Sequence, residues 1–317
     1  MQSRSAESPG TEWPGQSPEI RTVTARDGAT LRLRRWQPDN ARGHVVLLHG
    51  IISHSGWYLK TGSQLARAGF AVHSLDRRGS GLNLASRGDV DHYETWIADV
   101  RDYLAQLPNN APRILLGISW GGLLATAVAR RPSTPITGLG LLCPGFFSRK
   151  GTSRLQHAAV RLAASAGLGG LRFPVPLRDP ALFTDSPPWQ RYIRDDPFTL
   201  RTVTLRLATA SADLYAATIH PSSHPAKPLE TPTLLCLGGR DAILQNAAVR
   251  KFASRHFSPA LQIQVYAEAA HTLEFEPDPS DYFRDLIAWC EHCCAAAPSL
   301  MRPCRVDDGL SADGSFL

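Results

Sequence analysis

The chain has 317 residues, of which 43% are hydrophobic and 20% charged, and its formal net charge is +6. This length and hydrophobic content predict one large domain or two small ones with a sizeable buried core. The basic residues, almost all arginines, are scattered rather than gathered into a stripe with interleaved aromatic residues, so the charge does not indicate a nucleic-acid-binding face.

The two ends of the chain have the composition of disordered segments. Residues 1–18 are polar and rich in Ser, Pro and Gly, and residues 297–317 are polar and interrupted by proline. The first segment lacks the apolar core of a secretory signal. No stretch of the chain approaches the ~18–20 apolar residues that span a bilayer. We therefore expect a soluble cytoplasmic protein whose membrane contact, if it has any, is peripheral.

The predicted elements alternate between strands and helices, and most of the strands are continuously apolar. An Asp-Gly turn at 26–28 predicts a hairpin of residues 20–25 and 29–36. Further strands are predicted at 44–50, 70–76, 113–118, 136–143, 231–239 and 261–266, and helices near 57–68 and at 92–107, 121–130 and 280–293. This alternation predicts an α/β fold with a mainly parallel eight-stranded sheet covered by helices on both faces.

Residues 146–229 break the alternation and are too many for a loop. They contain the helical pattern RLQHAAVRLAASAG, the apolar stretch GLGGLRFPVPL, a segment rich in Pro and Asp, and FTLRTVTLRLATASADLYAATI. We interpret the last stretch as a helix despite its threonines. The predicted organisation is a core of residues 19–145 and 230–296 with a helical lid inserted at 146–229.

Six cysteines occur, and their spacing does not predict a metal site. Cys143 and Cys236 lie in apolar strand-like runs and are interpreted as small core residues. The remaining four crowd the C-terminal end without forming two well-separated ligand pairs, and they are interpreted as free thiols in a reducing compartment. These four are Cys290, Cys293, Cys294 and Cys304.

The stretch LLGISWGG at 115–122 places Ser119 between Gly117 and Gly121, directly after a predicted strand. So tight a strand-to-helix turn forces its central residue into a strained backbone conformation, and the flanking glycines remove Cβ atoms that would clash there. Strain of about 1–3 kcal/mol usually persists where function holds it. Ser119 is therefore a candidate nucleophile, with a purely structural turn residue as the alternative.

Two more candidates follow strands later in the chain. Asp241 comes after the strand at 231–239, and His271 comes after the strand at 261–266. Ligands in open α/β sheets bind outside the carboxyl ends of the strands, so we expect these side chains to meet Ser119 there. The alternatives are a surface acid at 241 and a buried structural histidine at 271.

These three residue types suit nucleophilic catalysis. A serine hydroxyl becomes nucleophilic when a base takes its proton, and histidine is that base because its pKa lies near neutrality. An aspartate fixes the imidazole tautomer and stabilises the imidazolium. The chemistry also needs an oxyanion hole, for which we predict the backbone N–H groups of Trp120, directly after the nucleophile, and Ile51, after His49-Gly50.

The stretches VVLLHGIISHSGWY, FAVHSLDRRGSGLN, LLGISWGGLLATAVARRP, TLLCLGGRDAI and AEAAHTLEFE span residues 44 to 276. Together they resemble the monoacylglycerol lipase and lysophospholipase branch of the α/β-hydrolases, which also includes serine aminopeptidases. The resemblance implies a cytosolic or membrane-peripheral carboxylic-ester hydrolase, with Ser119, Asp241 and His271 as its triad. It also implies that no cofactor is needed.

The sequence departs from the resemblance at three positions. Ile52 stands where a glycine is usual, Ser80 where a histidine is frequent, and Trp120 is bulkier than the usual residue after the serine. These departures leave the preferred substrate open among apolar esters. Asp76 is interpreted as the acid that ties down its loop, and His49 and His54 as loop-fixing or pocket-wall residues.

Other functions stay open alongside ester hydrolysis. The same triad serves peptidases, thioesterases and acyltransferases. An aminopeptidase would need acids near the site to hold a substrate ammonium, and Asp185, Asp195 and Asp196 are the candidates. A non-catalytic ligand-binding protein on the same fold is a further alternative, although such a protein has no need for a strained serine. The expected partner is a small-molecule or lipid ester substrate and not a nucleic acid, and any peripheral membrane contact is expected through the lid.

Overall fold

The computed structural model describes residues 17–149, 154–220, 228–257 and 260–296. The predicted disordered termini and Cys304 lie outside these residues, apart from positions 17 and 18, which precede the first strand. The strands are β1 Glu19–Thr24, β2 Thr30–Trp36, β3 His44–Leu48, β4 Ala71–Leu75, β5 Arg113–Ile118, β6 Gly138–Leu142, β7 Arg172–Pro174, β8 Thr202–Thr204, β9 Thr233–Gly238 and β10 Leu261–Tyr266.

The α-helices alternate with these strands in the core and cluster between β6 and β9. They are α1 Leu59–Arg67, α2 Tyr93–Gln106, α3 Trp120–Ala129, α4 Arg154–Ala163, α5 Pro187–Asp195, α6 Leu205–Ile219, α7 Asn246–His256 and α8 Ser280–Ala296. A 3-10 turn at Ser55–Tyr58 leads directly into α1. Among the described residues, no helix is both long enough and apolar enough to cross a membrane.

Eight strands form one sheet in the order β1-β2-β4-β3-β5-β6-β9-β10. The neighbouring strands from β4 to β10 in this order pair in parallel, whereas β1 with β2 and β2 with β4 pair antiparallel. Every residue of β3, β4, β5, β6 and β9 is buried, as expected for parallel strands covered on both faces. The predicted mainly parallel eight-stranded sheet is confirmed.

The strand order explains how helices come to cover both faces. The chain moves from β3 through α1 to β4 in one direction, and from β5 through α3 to β6 in the other. Crossovers between parallel strands are right-handed, so connections that run in opposite directions place their helices on opposite faces. Because β5, β9 and β10 run parallel, their carboxyl ends lie at the same edge of the sheet. Ser119, Asp241 and His271 follow these strands at that edge.

We call the described part of residues 146–229 the insertion. It carries α4, α5 and α6, and also the short antiparallel pair of β7 and β8. The interpretation of residues 198–219 as one helix is therefore wrong at its start. Thr202–Thr204 is a strand, and the Thr204 hydroxyl accepts a hydrogen bond from the Leu207 amide, which begins α6. Threonine favours strands because its side chain is β-branched, and it favours helix N-caps because its hydroxyl can accept from an amide of the first turn.

Candidate active site

Ser119 lies at the turn between β5 and α3 with φ 53° and ψ −121°. Its amide donates to the Leu142 carbonyl at 2.9 Å, and its own carbonyl accepts from the amides of Gly122 and Gly145 at 2.8 and 2.7 Å. These bonds over-determine a left-handed conformation that a serine rarely adopts. The structure therefore shows the strained turn that the glycine spacing predicts.

The flanking glycines are needed because backbone atoms approach them closely. A Cβ atom on Gly117 would lie 2.4 Å from the Gly121 carbonyl oxygen, and one on Gly121 would lie 2.2 Å from the Leu48 carbonyl oxygen. Neither distance is compatible with a side chain. The two glycines thus allow α3 to begin directly against β3 and β5, which holds the Ser119 hydroxyl at the edge of the sheet.

The structure brings Ser119, His271 and Asp241 together. The imidazole Nε2 atom of His271 is 2.8 Å from Ser119 Oγ, and its Nδ1 atom is 2.7 Å from Asp241 Oδ2. An ionised carboxylate can only accept, so Nδ1–H donates to Asp241 and Nε2 is left to accept the hydroxyl proton. The three side chains come from sequence positions up to 152 residues apart and form one continuous chain of hydrogen bonds.

Asp241 is buried, and hydrogen bonds and the neighbouring imidazole stabilise its ionised carboxylate. Burial alone would raise the pKa of Asp241, but the interaction with His271 and the amides of Leu244 and Ile243 outweigh it and hold the pKa below the ordinary value. The Ile243 and Leu244 amides donate to Asp241 Oδ1 at 2.8 and 3.0 Å. Oδ2 therefore remains available to orient the imidazole.

Cys143 lies beside this pair, a position that sequence reasoning did not assign to the site. It directly follows β6 with φ 43°. Its Sγ atom lies within 4.8 Å of a carboxylate oxygen of Asp241 and of a ring nitrogen of His271. Burial, together with the Asp241 carboxylate, raises the pKa of the Cys143 thiol well above its usual value. The mutual hydrogen bond of Asp241 and His271 engages atoms that a metal ion at this cluster would need.

The loop after β3 lies against Ser119. A Cβ atom on Gly50 would be 3.4 Å from Ser119 Cβ and 3.8 Å from Ser119 Oγ, so the backbone that continues into Ile51 passes directly beside the hydroxyl. Trp120 is the first residue of α3, and its amide has no acceptor within the helix. Both positions predicted to supply the oxyanion donors therefore lie next to Ser119. Trp120 directly follows it in the chain, and Ile51 follows Gly50 in the loop that packs against it.

Asp76 and His49 hold the surrounding loops. Asp76 accepts from the Ser55 amide at 2.7 Å and from the Leu82 amide at 2.8 Å, which joins the loops after β3 and β4. The His49 Nε2 atom accepts from the Arg77 amide at 3.1 Å. Burial lowers the pKa of His49 to about 3, with the nearby Arg77 charge adding to this effect. These contacts agree with the loop-fixing interpretation of both residues.

Two of the three sequence departures connect the core to the insertion. The Ile52 carbonyl accepts from the Leu200 amide at 2.8 Å, and the Trp120 indole N–H donates to Ser211 Oγ at 2.7 Å. The third departure, Ser80, is buried, and its hydroxyl has no hydrogen-bond partner among the described residues. The Trp120 side chain therefore reaches from the turn that carries Ser119 to α6.

Two of the three insertion acids that the sequence offers as ammonium ligands are engaged by other side chains. Asp196 is buried and accepts from His54 Nε2 at 2.8 Å and from the Trp57 indole at 2.9 Å, so its carboxylate is already engaged. Asp185 forms an exposed ion pair with Arg240 at 2.7 Å. Asp195 is exposed. Asp196, offered from the sequence as an ammonium ligand, instead fastens the insertion to the loop after β3.

Aromatic side chains cover the imidazole. The Phe183 ring, from the insertion, lies edge-on to His271 with ring centroids 5.8 Å apart. Trp57 packs edge-on against Phe183 at 5.7 Å and in a tilted arrangement against Phe275 at 5.6 Å. The wall around the His271 imidazole is therefore apolar, which strengthens the hydrogen bonds that the imidazole makes.

Several known proteins resemble this chain over most of its length. The monoacylglycerol lipase of Mycolicibacterium smegmatis is 26% identical over 258 residues, which cover 80% of this chain and 90% of the relative. The monoglyceride lipase of Mus musculus is 23% identical over 283 residues, covering 86% and 90% of the two chains.

Solved structures show the same fold. The monoglyceride lipase of Saccharomyces cerevisiae superposes with a TM-score of 0.79 at 20% identity, covering 90% of this chain and 99% of that one. The monoacylglycerol lipase of Paleococcus ferrophilus gives a TM-score of 0.73 at 24% identity, with coverage of 83% and 99%. A family model described as serine aminopeptidase, S33, matches residues 39–278. Because that match spans most of the chain, this protein belongs to the serine aminopeptidase S33 family of α/β-hydrolases.

Proposed function

We propose that this protein is a serine hydrolase that cleaves esters of apolar acyl groups, with monoacylglycerol-like or lysophospholipid-like substrates. Its assignment as a carboxylic ester hydrolase rests on the family match and on the monoacylglycerol lipases among its relatives. The single observation that carries the mechanism is the position of His271, hydrogen-bonded to Ser119 at 2.8 Å and to Asp241 at 2.7 Å.

In the proposed mechanism Ser119 Oγ attacks the ester carbonyl while His271 Nε2 takes the hydroxyl proton. Asp241 holds the imidazole in the tautomer that can accept at Nε2 and stabilises the imidazolium that forms. His271 then protonates the leaving alcohol, which departs and leaves an acyl group on Ser119. A water molecule, deprotonated by His271, attacks the acyl-enzyme and releases the acid.

The negative charge of each tetrahedral intermediate falls on the former carbonyl oxygen. The backbone N–H groups of Ile51 and Trp120 are proposed to donate to it. Each such donor contributes roughly 3–4 kcal/mol to lowering the barrier in serine hydrolases. The proximity of Gly50 to Ser119 supports this role for Ile51, and the helix-terminal position of Trp120 supports the other.

An apolar acyl chain suits the surface of the insertion, which we propose acts as a lid. The insertion exposes Leu162, Leu168 and Leu171, with 73%, 48% and 56% of each side chain accessible. Exposed leucines grouped along one segment are typical of surfaces that contact lipids or other apolar partners. The proposal therefore includes peripheral contact of the insertion with lipid surfaces. A cytoplasmic location stays a prediction from the sequence.

A peptidase is the second candidate function, since the family description names aminopeptidases. The engagement of Asp196 by His54 and Trp57 and of Asp185 by Arg240 weakens this candidate, because an aminopeptidase needs acids that can bind a substrate ammonium. Thioester hydrolysis and acyl transfer use the same three side chains and are distinguished by substrate tests.

Labelling with a fluorophosphonate probe tests the proposed function. We expect the wild-type protein to be labelled and the Ser119→Ala variant to remain unlabelled at equal concentration. An unlabelled wild-type protein would favour the non-catalytic binding protein instead. A chain-length series of glycerol esters, thioesters and aminoacyl amides then identifies the reaction class, with the highest kcat/KM expected for the apolar esters.

A further inference from the structure

Arg77 follows β4 and is buried, yet its guanidinium reaches the loop after β3. The Nη1 atom donates to the Gly50 carbonyl at 2.8 Å, and the Nη2 atom donates to the Ile51 carbonyl at 2.6 Å. One rigid planar group therefore holds two consecutive carbonyl groups of the loop that passes beside Ser119. A guanidinium is suited to this because its donors form a fixed fork.

The first of these bonds acts on a specific peptide unit. The Gly50 carbonyl and the Ile51 N–H belong to the same planar peptide, so fixing the oxygen also fixes the direction of the N–H. The Gly50 oxygen also lies 2.8 Å from His49 Nδ1. Because His49 Nε2 accepts from the Arg77 amide at 3.1 Å, the His49 proton is on Nδ1 and donates to that oxygen.

Two donors on one carbonyl oxygen do more than orient the peptide. Hydrogen bonds at a carbonyl polarise the peptide and strengthen the donor at its other end. The Ile51 N–H is that donor. Arg77 contributes to this arrangement twice, through its guanidinium to Gly50 and through its backbone amide, which selects the His49 tautomer.

The same guanidinium also contacts the residue that carries the second predicted donor. The Arg77 Cζ atom lies 4.7 Å from the centroid of the Trp120 ring, the distance of a cation–π contact. The Trp120 ring is further held by the edge-on ring of Trp96 at 4.8 Å and by the bond to Ser211. Arg77 is thus in contact with both sides of the proposed oxyanion hole.

We propose that Arg77 is a positioning residue for the oxyanion hole, holding the Ile51 N–H and the Trp120 turn in the geometry that binds the tetrahedral intermediate. This rests on the proposed function, since it assigns Arg77 to the hydrolytic transition state. The role assigned to Arg77 requires no contact with the substrate. It acts through the Gly50–Ile51 peptide and the Trp120 ring, so its effect falls on the transition state and not on ground-state binding.

The experiment compares Arg77→Ala and Arg77→Lys with the matched control Arg113→Ala. Arg113 is also buried and donates to a backbone carbonyl, that of Leu107 at 2.8 Å, but it begins β5, whereas Ser119 follows the end of that strand. Steady-state kinetics on a soluble short-chain ester, affinity for a trifluoromethyl ketone analogue of the intermediate, and thermal unfolding are measured for each variant.

We expect Arg77→Ala to lower kcat about a hundredfold, as for loss of one oxyanion donor, while KM changes by less than about threefold. The ketone should lose affinity by the same factor as kcat/KM. Guanidinium chloride at concentrations that do not unfold the protein should restore part of kcat in Arg77→Ala, because the ion can occupy the vacated position. Arg77→Lys keeps the positive charge but lacks the forked donors of a guanidinium. Its kcat should lie between those of the wild type and Arg77→Ala.

Arg113→Ala should lower the melting temperature but keep the wild-type kcat and gain nothing from guanidinium. The inference is overturned if Arg77→Ala keeps the wild-type kcat, or if its loss is matched by Arg113→Ala and is not rescued. If Arg77→Ala does not fold, Arg77→Lys decides. A loss of kcat matched by an equal loss of ketone affinity supports the inference, and wild-type values of both overturn it. If the wild-type protein shows neither fluorophosphonate labelling nor esterase activity, the proposed function itself is refuted. If the wild-type protein is labelled and active, a failure in the Arg77 variants refutes only the role of Arg77.

Discussion

His54 and Asp196 are joined by a 2.8 Å hydrogen bond although 142 residues separate them in the chain. His54 belongs to the loop after β3, and Asp196 follows α5 of the insertion. The His54 Nδ1 atom accepts from the Gly56 amide at 3.0 Å, so Nε2–H is the donor to Asp196. Asp196 also accepts from Trp57 and from the Thr199 hydroxyl at 2.9 Å each. One carboxylate thus links the insertion to the loop that passes beside Ser119.

Replacing this carboxylate should destabilise the protein strongly. Asp196→Ala leaves the buried donors of His54 and Trp57 without an acceptor, and each buried donor left unsatisfied typically costs about 1–3 kcal/mol of unfolding free energy. Urea denaturation measures the change. Asp185→Ala is the control, because the Asp185–Arg240 pair is more than half exposed and should contribute less than about 1 kcal/mol. Equal effects of the two substitutions would contradict the assigned role of Asp196.

Asp241→Asn should keep the fold and lose most turnover. The carbonyl oxygen of the introduced amide can still accept from the backbone amides that now bind Oδ1, but its NH₂ group would then face His271 Nδ1. That arrangement favours the imidazole tautomer with its proton on Nε2, which cannot accept from Ser119, and the equivalent change in a serine protease lowers kcat about 10⁴-fold.

Burst kinetics and circular dichroism of Asp241→Asn separate loss of chemistry from loss of structure. Ser119→Ala sets the background rate for the comparison. Full turnover in Asp241→Asn would mean that another acid serves His271.

The parts of the fold that the sequence predicts well are those with local signals. The strands β3, β5 and β9 are continuous apolar runs, so their positions follow from the pattern alone. The meeting of Ser119, Asp241 and His271 follows from one further rule, that the carboxyl ends of parallel strands share an edge. Neither inference needs knowledge of which side chains touch.

The parts that the sequence does not reveal depend on contacts between distant segments. Thr202–Thr204 becomes a strand because Arg172–Pro174 pairs with it, and no local pattern announces that partner. Asp196 looks like any acid in a polar loop until His54 is placed against it. Arg77 looks like one of two adjacent arginines, although its position directly after Asp76 at a strand end was a signal that could have singled it out.

Gly121, near the start of α3, offers a steric test of the turn that carries Ser119. A Cβ atom on Gly121 would lie 2.2 Å from the Leu48 carbonyl oxygen and 2.7 Å from the His49 carbonyl oxygen. Both atoms are backbone, so Gly121→Ala can be accommodated only by moving α3 away from β3. Overpacking of this kind costs about 1–3 kcal/mol or more, and we expect a large loss of kcat because the turn carries Ser119.

Gly170→Ala is the matched control for Gly121→Ala. Gly170 is exposed, and nothing lies within 4 Å of a Cβ atom built on it, so its substitution should change stability by less than about 0.5 kcal/mol. Thermal unfolding and kcat are measured for both variants. A Gly121→Ala protein with wild-type kcat would show that the turn can shift without disturbing Ser119.

Glu274, three residues after His271, should make the stability of the protein depend on pH. Its Oε2 atom accepts from the Thr61 hydroxyl at 2.6 Å, whereas Oε1 is buried without a hydrogen-bond partner among the described residues. Burial raises the pKa of Glu274 from 4.5 to about 7, although the Thr61 bond and the Lys60 charge oppose the rise. The folded protein therefore binds this proton more tightly than the unfolded chain does.

Because the folded-state pKa is the higher one, this carboxyl group costs no stability below about pH 4.5, and its cost grows as the pH rises towards 7. A shift of this size corresponds to about 3 kcal/mol of unfolding free energy above pH 7. Glu274→Gln keeps an acceptor for Thr61 and removes the ionisation. We expect its unfolding free energy, measured by urea denaturation, to match that of the wild type near pH 4.5 and to exceed it at pH 8.

Glu291→Gln is the control, at an exposed ion pair with Arg42, and should show no comparable gain at pH 8. A Glu274→Gln effect that is the same at both pH values would mean that Glu274 does not titrate between them.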